Sequence, residues 1–479
     1  MNIGYLATIL VSAALLSCGR GAGDAARAID DAPPIYPDYA GVTVPCNIAP
    51  LNFKIRGAER IRAEFAFDGA VCLVAEGRKG AIDIPLKKWR ALLDAAVGGE
   101  VEARVSAWSA SEPDGVRYAP FRIRISPDPI DERVVYRLIE PGYEGWSQMG
   151  IYQRDLTNFD EEVLVDNSVN SAGCVNCHSF RDYSPDEMLF HARGQGGGTV
   201  FAVDGRMDKV DLTSTPPLRQ GVYPMWNPRG RYVAFSSNDT AQSFFGGHGQ
   251  PIEVYDQSSD LMIYDTRTGR MLTDDRFFSA ERWETFPAWS PDGDRLYFCS
   301  AEPRSMPLDR ESVHYDLLSV SFDRETGVLG ERIDTLRNSR TEGGSVSFPR
   351  VSPDGRFLMY ALADFGTFPV WHEEADLAMI DLRDGSAVDV SALNSAAAES
   401  CHAWSSSGRW AVFASRRDDG RYTRLYVAAV SPDGTCGKPF LLPQRNPDEN
   451  AWRMKSYNIP EFVRGEVRLS RRGLRALFK

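Results

Sequence analysis

Apolar and polar positions alternate in short runs through the second half of the chain, and the runs recur in a fixed frame. Three windows read YPMWNPRGRYVAF from Tyr223, FPAWSPDGDRLYF from Phe286 and FPRVSPDGRFLMY from Phe348. A fourth, CHAWSSSGRWAVF from Cys401, keeps the frame with His402 in place of the proline. Each predicts an aromatic-flanked strand, a turn of the Pro-Asp-Gly type and a second strand of period two, which together make a hairpin. Phe180, Tyr183, Ser184, Pro185 and Asp186, followed by Met188, Leu189 and Phe190, supply a fifth copy one residue short. A second strand pair follows each hairpin, as in SDLMIYDTRTGRMLT from Ser259, YDLLSVSFDRETGVL from Tyr315 and ADLAMIDLRDGSAVDV from Ala375. Related pairs fall at Thr199 to Leu212, Arg424 to Leu442 and Met149 to Val165.

Six outer pairs thus stand against five inner ones. Tyr457, Ile459, Pro460 and Phe462, then Val467 and Leu469, form a degraded copy that can supply the missing inner pair. The ring would close by pairing chain end with chain start. Four strands per unit, repeating every ~45–60 residues, fit propeller blades better than solenoid turns. The turn-centred frame resembles the W-S-P-D-G repeats of TolB-type propellers, over about Arg133 to Leu469. That resemblance implies a fold and leaves function open, because such propellers bind, scaffold or cap enzymes.

Ahead of the propeller, the runs Ile61 to Phe67, Val101 to Trp108 and Phe121 to Ile125 predict strands around one amphipathic helix, Pro85 to Val97. In that helix Trp89, Leu92, Leu93 and Ala96 share a face, and Gly98 and Gly99 end it. The expected fold class is therefore all-β: a six-bladed TolB-like β-propeller preceded by a small β-sandwich-like domain with one helix. Its divisions are a signal peptide over 1–17, a flexible tether over 18–41, the sandwich-like domain over 42–130, the propeller over 131–470 and a basic tail over 471–479.

Composition narrows the function classes. The chain has 479 residues, 43% hydrophobic and 25% charged, which is the balance of a folded body of two or three units. A formal charge of -12 argues against nucleic acid as a partner. The apolar stretch Leu6 to Leu16 is too short to span a bilayer alone and sits where a secretory signal would be. It ends in Leu15, Leu16, Ser17, Cys18 and Gly19, which resembles the lipobox of bacterial lipoproteins, although no Lys or Arg precedes it. That resemblance implies a lipid anchor at Cys18 and a place in the cell envelope, the outer membrane being favoured by Gly19 and Arg20. Cys46 and Cys72 could pair in such an oxidising compartment.

The strongest chemical signal is CVNCH, from Cys174 to His178. Two thiols three apart with an adjacent imidazole suit covalent attachment of one haem c, His178 being the proximal axial ligand. A dithiol or disulfide remains open, as does half of a zinc site, for which Cys46, Cys72, Cys299, Cys401 and Cys436 are scattered singly. His178 lies two residues before Phe180, which matches Tyr223, Phe286 and Phe348, so the haem is expected at the mouth of the channel. His191 is the first choice for a sixth ligand, ahead of Met188, while His402, His372 and His314 also compete and His248 belongs to a glycine-rich loop. The CVNCHSF stretch looks like that of a group of exported bacterial lipoproteins with a CxNCHSF element. The expected function is electron transfer or haem-dependent sensing by a monomer with an unidentified redox or binding partner protein. Two alternatives stay open: a binding or scaffold propeller for a glycan, peptide or protein, and an oxidoreductase with an open haem position. No catalytic set is visible, since nucleophile-elbow and HExxH patterns are missing from the sequence.

Overall fold

The repeat frame folds as hairpins because its residues fix the turn. In the windows from Phe286 and Phe348, the N–H groups of Ser290 and Ser352 donate to the carbonyls of Arg295 and Phe357 at 2.9 and 2.7 Å. The serine hydroxyls donate to Asp292 and Asp354, both at 2.5 Å. Gly293 and Gly355 take φ of 76° and 74°, which glycine adopts without a Cβ penalty. Tryptophans then tie blade to blade: Trp289 Nε1 donates to the Met225 carbonyl at 2.9 Å and Trp404 Nε1 to that of Arg350 at 3.1 Å.

The computed structural model describes residues 25, 27–141, 148–170, 173–194, 196–212, 221–245 and 252–479. Six four-stranded antiparallel sheets make a six-bladed β-propeller. The inner strands of blades 2 to 6 are Val175–Phe180, Gly221–Trp226, Trp283–Trp289, Ser345–Val351 and Glu399–Trp404, each next to the following one around the axis. In blade 1 the innermost strand is Ser456–Val463, from the C-terminal end of the chain. It pairs antiparallel with Arg133–Ile139, from Arg133 against Val463 to Ile139 against Ser456. The ring closes end to start as expected, with one difference. The C-terminal end gives a single strand, and the second comes from Arg133–Ile139; Val467 leaves the sheet and donates its N–H to Gln153.

The N-terminal unit is a seven-stranded sheet and the two-stranded ribbon Ile35–Tyr36 with Lys54–Ile55, with the helix Leu86–Ala96 laid against the sheet. Its buried residues, Trp89, Leu92, Leu93 and Ala96, recur at the spacing of one helical face. Trp89 meets Phe65 edge to face at 5.9 Å, and its indole N–H donates to the Ile48 carbonyl.

The expected flexible tether and the expected basic, solvated tail are both packed. From Arg27 to Gly41 the chain is no tether: Arg27–Ala28 pairs with the strand Glu112–Arg117, Tyr39 is fully buried, and Tyr36 donates to Asp418 of the propeller. At the other end, Arg471–Leu477 is a helix capped by Ser470, with Leu474 buried. Leu474 sits in the hydrophobic pattern of an amphipathic turn, which the run of arginines obscured. Cys46 and Cys72 are free thiols, so the pairing that an oxidising compartment would permit is not formed. The signal peptide, Cys18 and His248 lie outside the described residues.

Candidate functional site

Every inner hairpin slips register at one place, and the slip locates the CVNCH residues. It falls between Val222 and Met225, Thr285 and Ala288, Ser347 and Arg350, Glu399 and His402, and Asn176 and Ser179. In blade 1 it falls between Asn458 and Glu461. The bulged dipeptides are thus Tyr223-Pro224, Phe286-Pro287, Phe348-Pro349, Ile459-Pro460 and Cys177-His178, and in blade 6 Ser400-Cys401, where His402 is back in the ladder opposite Phe413. The first residue of five of them is left-handed: φ is 51° at Cys177, 49° at Tyr223, 52° at Phe286, 51° at Phe348 and 51° at Ile459. A non-glycine residue held there costs about 1–3 kcal/mol, so the surrounding ladder must enforce it.

This corrects the sequence alignment. Cys177, and not Phe180, is the equivalent of Tyr223, Phe286 and Phe348, and Phe180 takes the position of Trp226, Trp289 and Trp404. Blade 2 hides the match because its turn, residues 181–186, is one residue longer than residues 227–231 of blade 3. The motif therefore lies within the inner strand and not in a loop leading into it.

The bulged residues meet at the propeller axis. Rings of Tyr223, Phe286 and Phe348 from blades 3, 4 and 5 pack at 4.4, 4.3 and 6.1 Å between centroids and plug that half of the channel. Blades 6, 1 and 2 offer only Cys401, Ile459 and Cys177. Above the smaller residues opens a cavity of about 570 Å³, whose wall includes Cys174, Asn176, Cys177, Tyr223 and Ile459. This is the size of a small-molecule site. A narrower compartment of about 30 Å³ lies next to it along the channel, shares Cys177, Tyr223 and Ile459, and holds His178.

His178 is 1% exposed, and neither ring nitrogen has a hydrogen-bond partner among the described residues. The backbones of Val135 and Ile459 approach the ring and favour its protonated form, a smaller effect than burial. Burial, reinforced by the positive charge of Arg137, holds its pKa down at about 3, so the imidazole is neutral. Asn176 is also buried, with Oδ1 unpartnered. Burial raises the Cys177 thiol, against the field of Arg193. Unpaired buried polar groups cost about 1–3 kcal/mol each, which makes His178 and Asn176 candidates to meet a ligand.

The remaining wall is cationic and roofed. Arg137, Arg193 and Arg416 line it, together with Glu140. An arm formed by the long strands Tyr232–Phe244 and Ile252–Asp265 of blade 3 brings Thr240, Gln242 and Phe244 to the cavity. Glu253 of this arm meets His372 Nε2 of blade 5 at 3.1 Å, while His372 Nδ1 meets Glu374 at 2.9 Å. Burial disfavours the His372 cation, but the two carboxylates outweigh it and raise the pKa to about 9. Gly366, at φ 83°, lets Glu253 approach; a Cβ there would sit 3.0 Å from its Oε1.

Of the other histidines, His191 is buried with Nδ1 bonded to Thr199 at 3.1 Å, and the structure does not place it among the cavity-lining residues. Met188 is in the apolar core of blades 1 and 2. His402 takes the proline's place in the sequence frame but lies within the ladder, its nitrogens facing the carbonyls of Ser400 and Met359 at 3.2 and 3.1 Å. His314 lines a separate groove on blade 4. The sequence signals missed were the bulge, the plug and the arm; the repeated aromatic-Pro dipeptide was the visible trace of the first two. Chemically, the larger cavity presents two thiols, Cys174 and Cys177, while the neutral imidazole of His178 faces the narrower compartment next to it. The zinc alternative finds no cluster of three or more His, Cys, Asp or Glu ligands among the described residues.

No family model and no curated protein matches the chain. Among solved structures it is similar to TolB from Acinetobacter baumannii, at 14% identity over 79% of this chain and 85% of that one, with a TM-score of 0.44. It is similar to the periplasmic gluconolactonase PpgL of Pseudomonas aeruginosa, at 15% identity over 69% and 99% of the two chains, TM-score 0.36. The propeller domain of the Trilobed protease from Pyrococcus furiosus aligns at 12% identity over 72% and 91%, TM-score 0.35. These likenesses concern the propeller shape, and no residue role is carried from them.

Proposed function

We propose that this protein is an exported, lipid-anchored β-propeller carrying one haem c at the mouth of its channel, and that it serves in electron transfer or haem-dependent sensing. The observation that carries the reading is the pairing of two cavity-lining thiols, Cys174 and Cys177, with an adjoining buried imidazole whose nitrogens are both unbonded. Cys174 and Cys177 would hold the group as thioethers, and His178 would be the iron ligand. When bound, haem supplies one-electron chemistry at iron. The chain's own residues do the rest. The aromatic plug and the arm each wall one side of the site, Arg137 and Arg193 set a positive field around the Cys177 thiol, and burial keeps His178 neutral so that a lone pair is available.

Export is part of the same reading, since thioether attachment in bacteria occurs outside the cytoplasm and Cys18 offers the anchor. Among the described residues no helix is long and apolar enough to cross a membrane. The test is the absorption spectrum of full-length protein exported from cells that express a haem-attachment system. A reduced-minus-oxidised haem c spectrum that is lost in the Cys174→Ala/Cys177→Ala variant supports the proposal. A colourless wild-type protein from such cells refutes it.

A further inference from the structure

We infer that the other mouth of the channel, at the far end of the inner strands from Cys174, is a binding site for a small phenol. The inference stands apart from the haem reading. The six inner strands end there in Phe180, Trp226, Trp289, Val351, Trp404 and, one residue before the last, Phe462, and all six line a cavity of about 150 Å³. The repeat explains why it is open. Blades 3, 4 and 6 carry tryptophan at this position, and Trp289 and Trp404 each donate to the inner strand of the preceding blade. Blade 5 has Val351 instead, so one ring of the set is missing from the wall. An apolar cavity of about 150 Å³ holds a benzene ring.

The polar groups in the wall select what the ring must carry. Arg350 and Glu461 face each other at 3.3 Å, their side chains 20% and 13% exposed. Each Glu461 oxygen accepts one bond, from Arg350 and from the Phe180 N–H at 3.3 Å, which leaves lone pairs open. Arg350 uses a second N–H on the Met225 sulfur at 3.0 Å, and its remaining donors have no partner among the described residues. The buried indole N–H of Trp226 has none either, unlike those of Trp289 and Trp404. The ion pair has no net charge and so selects neither a cation nor an anion. A hydroxyl completes it, because it donates to the carboxylate and accepts from the guanidinium. Blade 2 is shaped toward the same cavity: its longer turn holds Asp182 and Tyr183 consecutively left-handed, at φ 44° and 61°, and both line the wall. Strain of this kind in non-glycine residues persists where the surroundings enforce it, and gathers at ligand sites.

The experiment titrates full-length protein with p-cresol, followed by ligand-observed NMR. Saturable binding is expected, and p-xylene, which has a methyl in place of the hydroxyl, should bind about tenfold or more weakly, because it leaves Arg350 and Glu461 without the partner they lack. Val351→Trp restores the ring that blades 3, 4 and 6 hold at this position and should weaken p-cresol about tenfold or more with the thermal melt preserved. Val351→Phe, the residue type of blades 1 and 2, is the smaller filling and should weaken it in the same direction. Binding of p-xylene or of p-toluate as tight as that of p-cresol would overturn the assignment, as would p-cresol binding unchanged in both filled variants. The presence or absence of haem decides neither outcome.

Discussion

At the residue scale, the site depends on one strained dipeptide. Cys177-His178 occupies a bulge that four other blades fill with an aromatic or isoleucine followed by proline, so the backbone there is a property of the fold and its side chains are free to carry chemistry. Removing one thiol is therefore expected to leave haem on a single thioether, and removing both to leave none, as read by haem staining of denatured protein on a gel. His178→Ala is expected to retain attached haem and to shift its absorption, because the thioethers hold the macrocycle while the proximal ligand is lost. The pentad was fully legible in the sequence. Its register was not, since Phe180 is aromatic, precedes a Ser-Pro-Asp turn and mimics Tyr223 well enough to capture the alignment. His191 was named on proximity along the chain, but strand geometry turns it toward Thr199.

His372 makes a second residue-scale case, with a definite sign. Its folded pKa of about 9 stands above the ordinary 6.5, so the folded state binds the proton more tightly than the unfolded one. The stabilisation is complete below pH 6.5 and is lost as pH rises through about 9. Denaturant unfolding across that range should show wild-type stability falling more than that of His372→Gln. At neutral pH the variant should be less stable by about 3–5 kcal/mol, because it removes the imidazolium from a buried ion pair with Glu253. Parallel pH profiles for the two proteins would contradict the assignment.

At the element scale, hairpins were predictable because each carries its own turn chemistry, and the amphipathic helix because its apolar positions repeat at 3, 4 and 7. Closure was predictable only in outline. The Arg133–Ile139 strand, RVVYRLI, has no turn signal of its own and is recognisable only once Ser456–Val463 lies beside it. The arm of blade 3 was hidden for a similar reason: beyond Ser237 and Asp260 its strands leave the blade, and their polar residues pair mainly with one another. Two predictions belong here. A chain ending at Lys455 lacks the closing strand and exposes the inner edge of Arg133–Ile139, so it should lose its cooperative thermal transition and aggregate; a sharp melt within a few degrees of wild type would contradict closure by that strand. Phe286→Ala removes the central ring of the plug, which should cost about 3–5 kcal/mol in denaturant unfolding. It should also open the compartment of His178, measurable as faster modification of that histidine by diethylpyrocarbonate in haem-free protein.

At the scale of the whole molecule, the propeller gives the site its asymmetry. Three large aromatics fill one side of the axis and three smaller residues the other, and the open volume is walled mainly by blades 1, 2 and 3, with Cys174 and Cys177 on blade 2. The N-terminal unit docks on the outside of the ring through contacts such as Asn52 with the Arg445 carbonyl and Lys54 with Asp448, and so buttresses the seam at which the chain closes. None of this was readable in advance, because contacts between distant segments leave no periodicity in either.

The most direct measurement is the intact mass of the peptide spanning residues 174–178, taken from protein exported in a host with a haem-attachment system. The account predicts that this peptide carries the mass of one haem, bound through both sulfurs and resistant to acid extraction. A peptide with two unmodified cysteines, or with the pair oxidised to a disulfide, would contradict it.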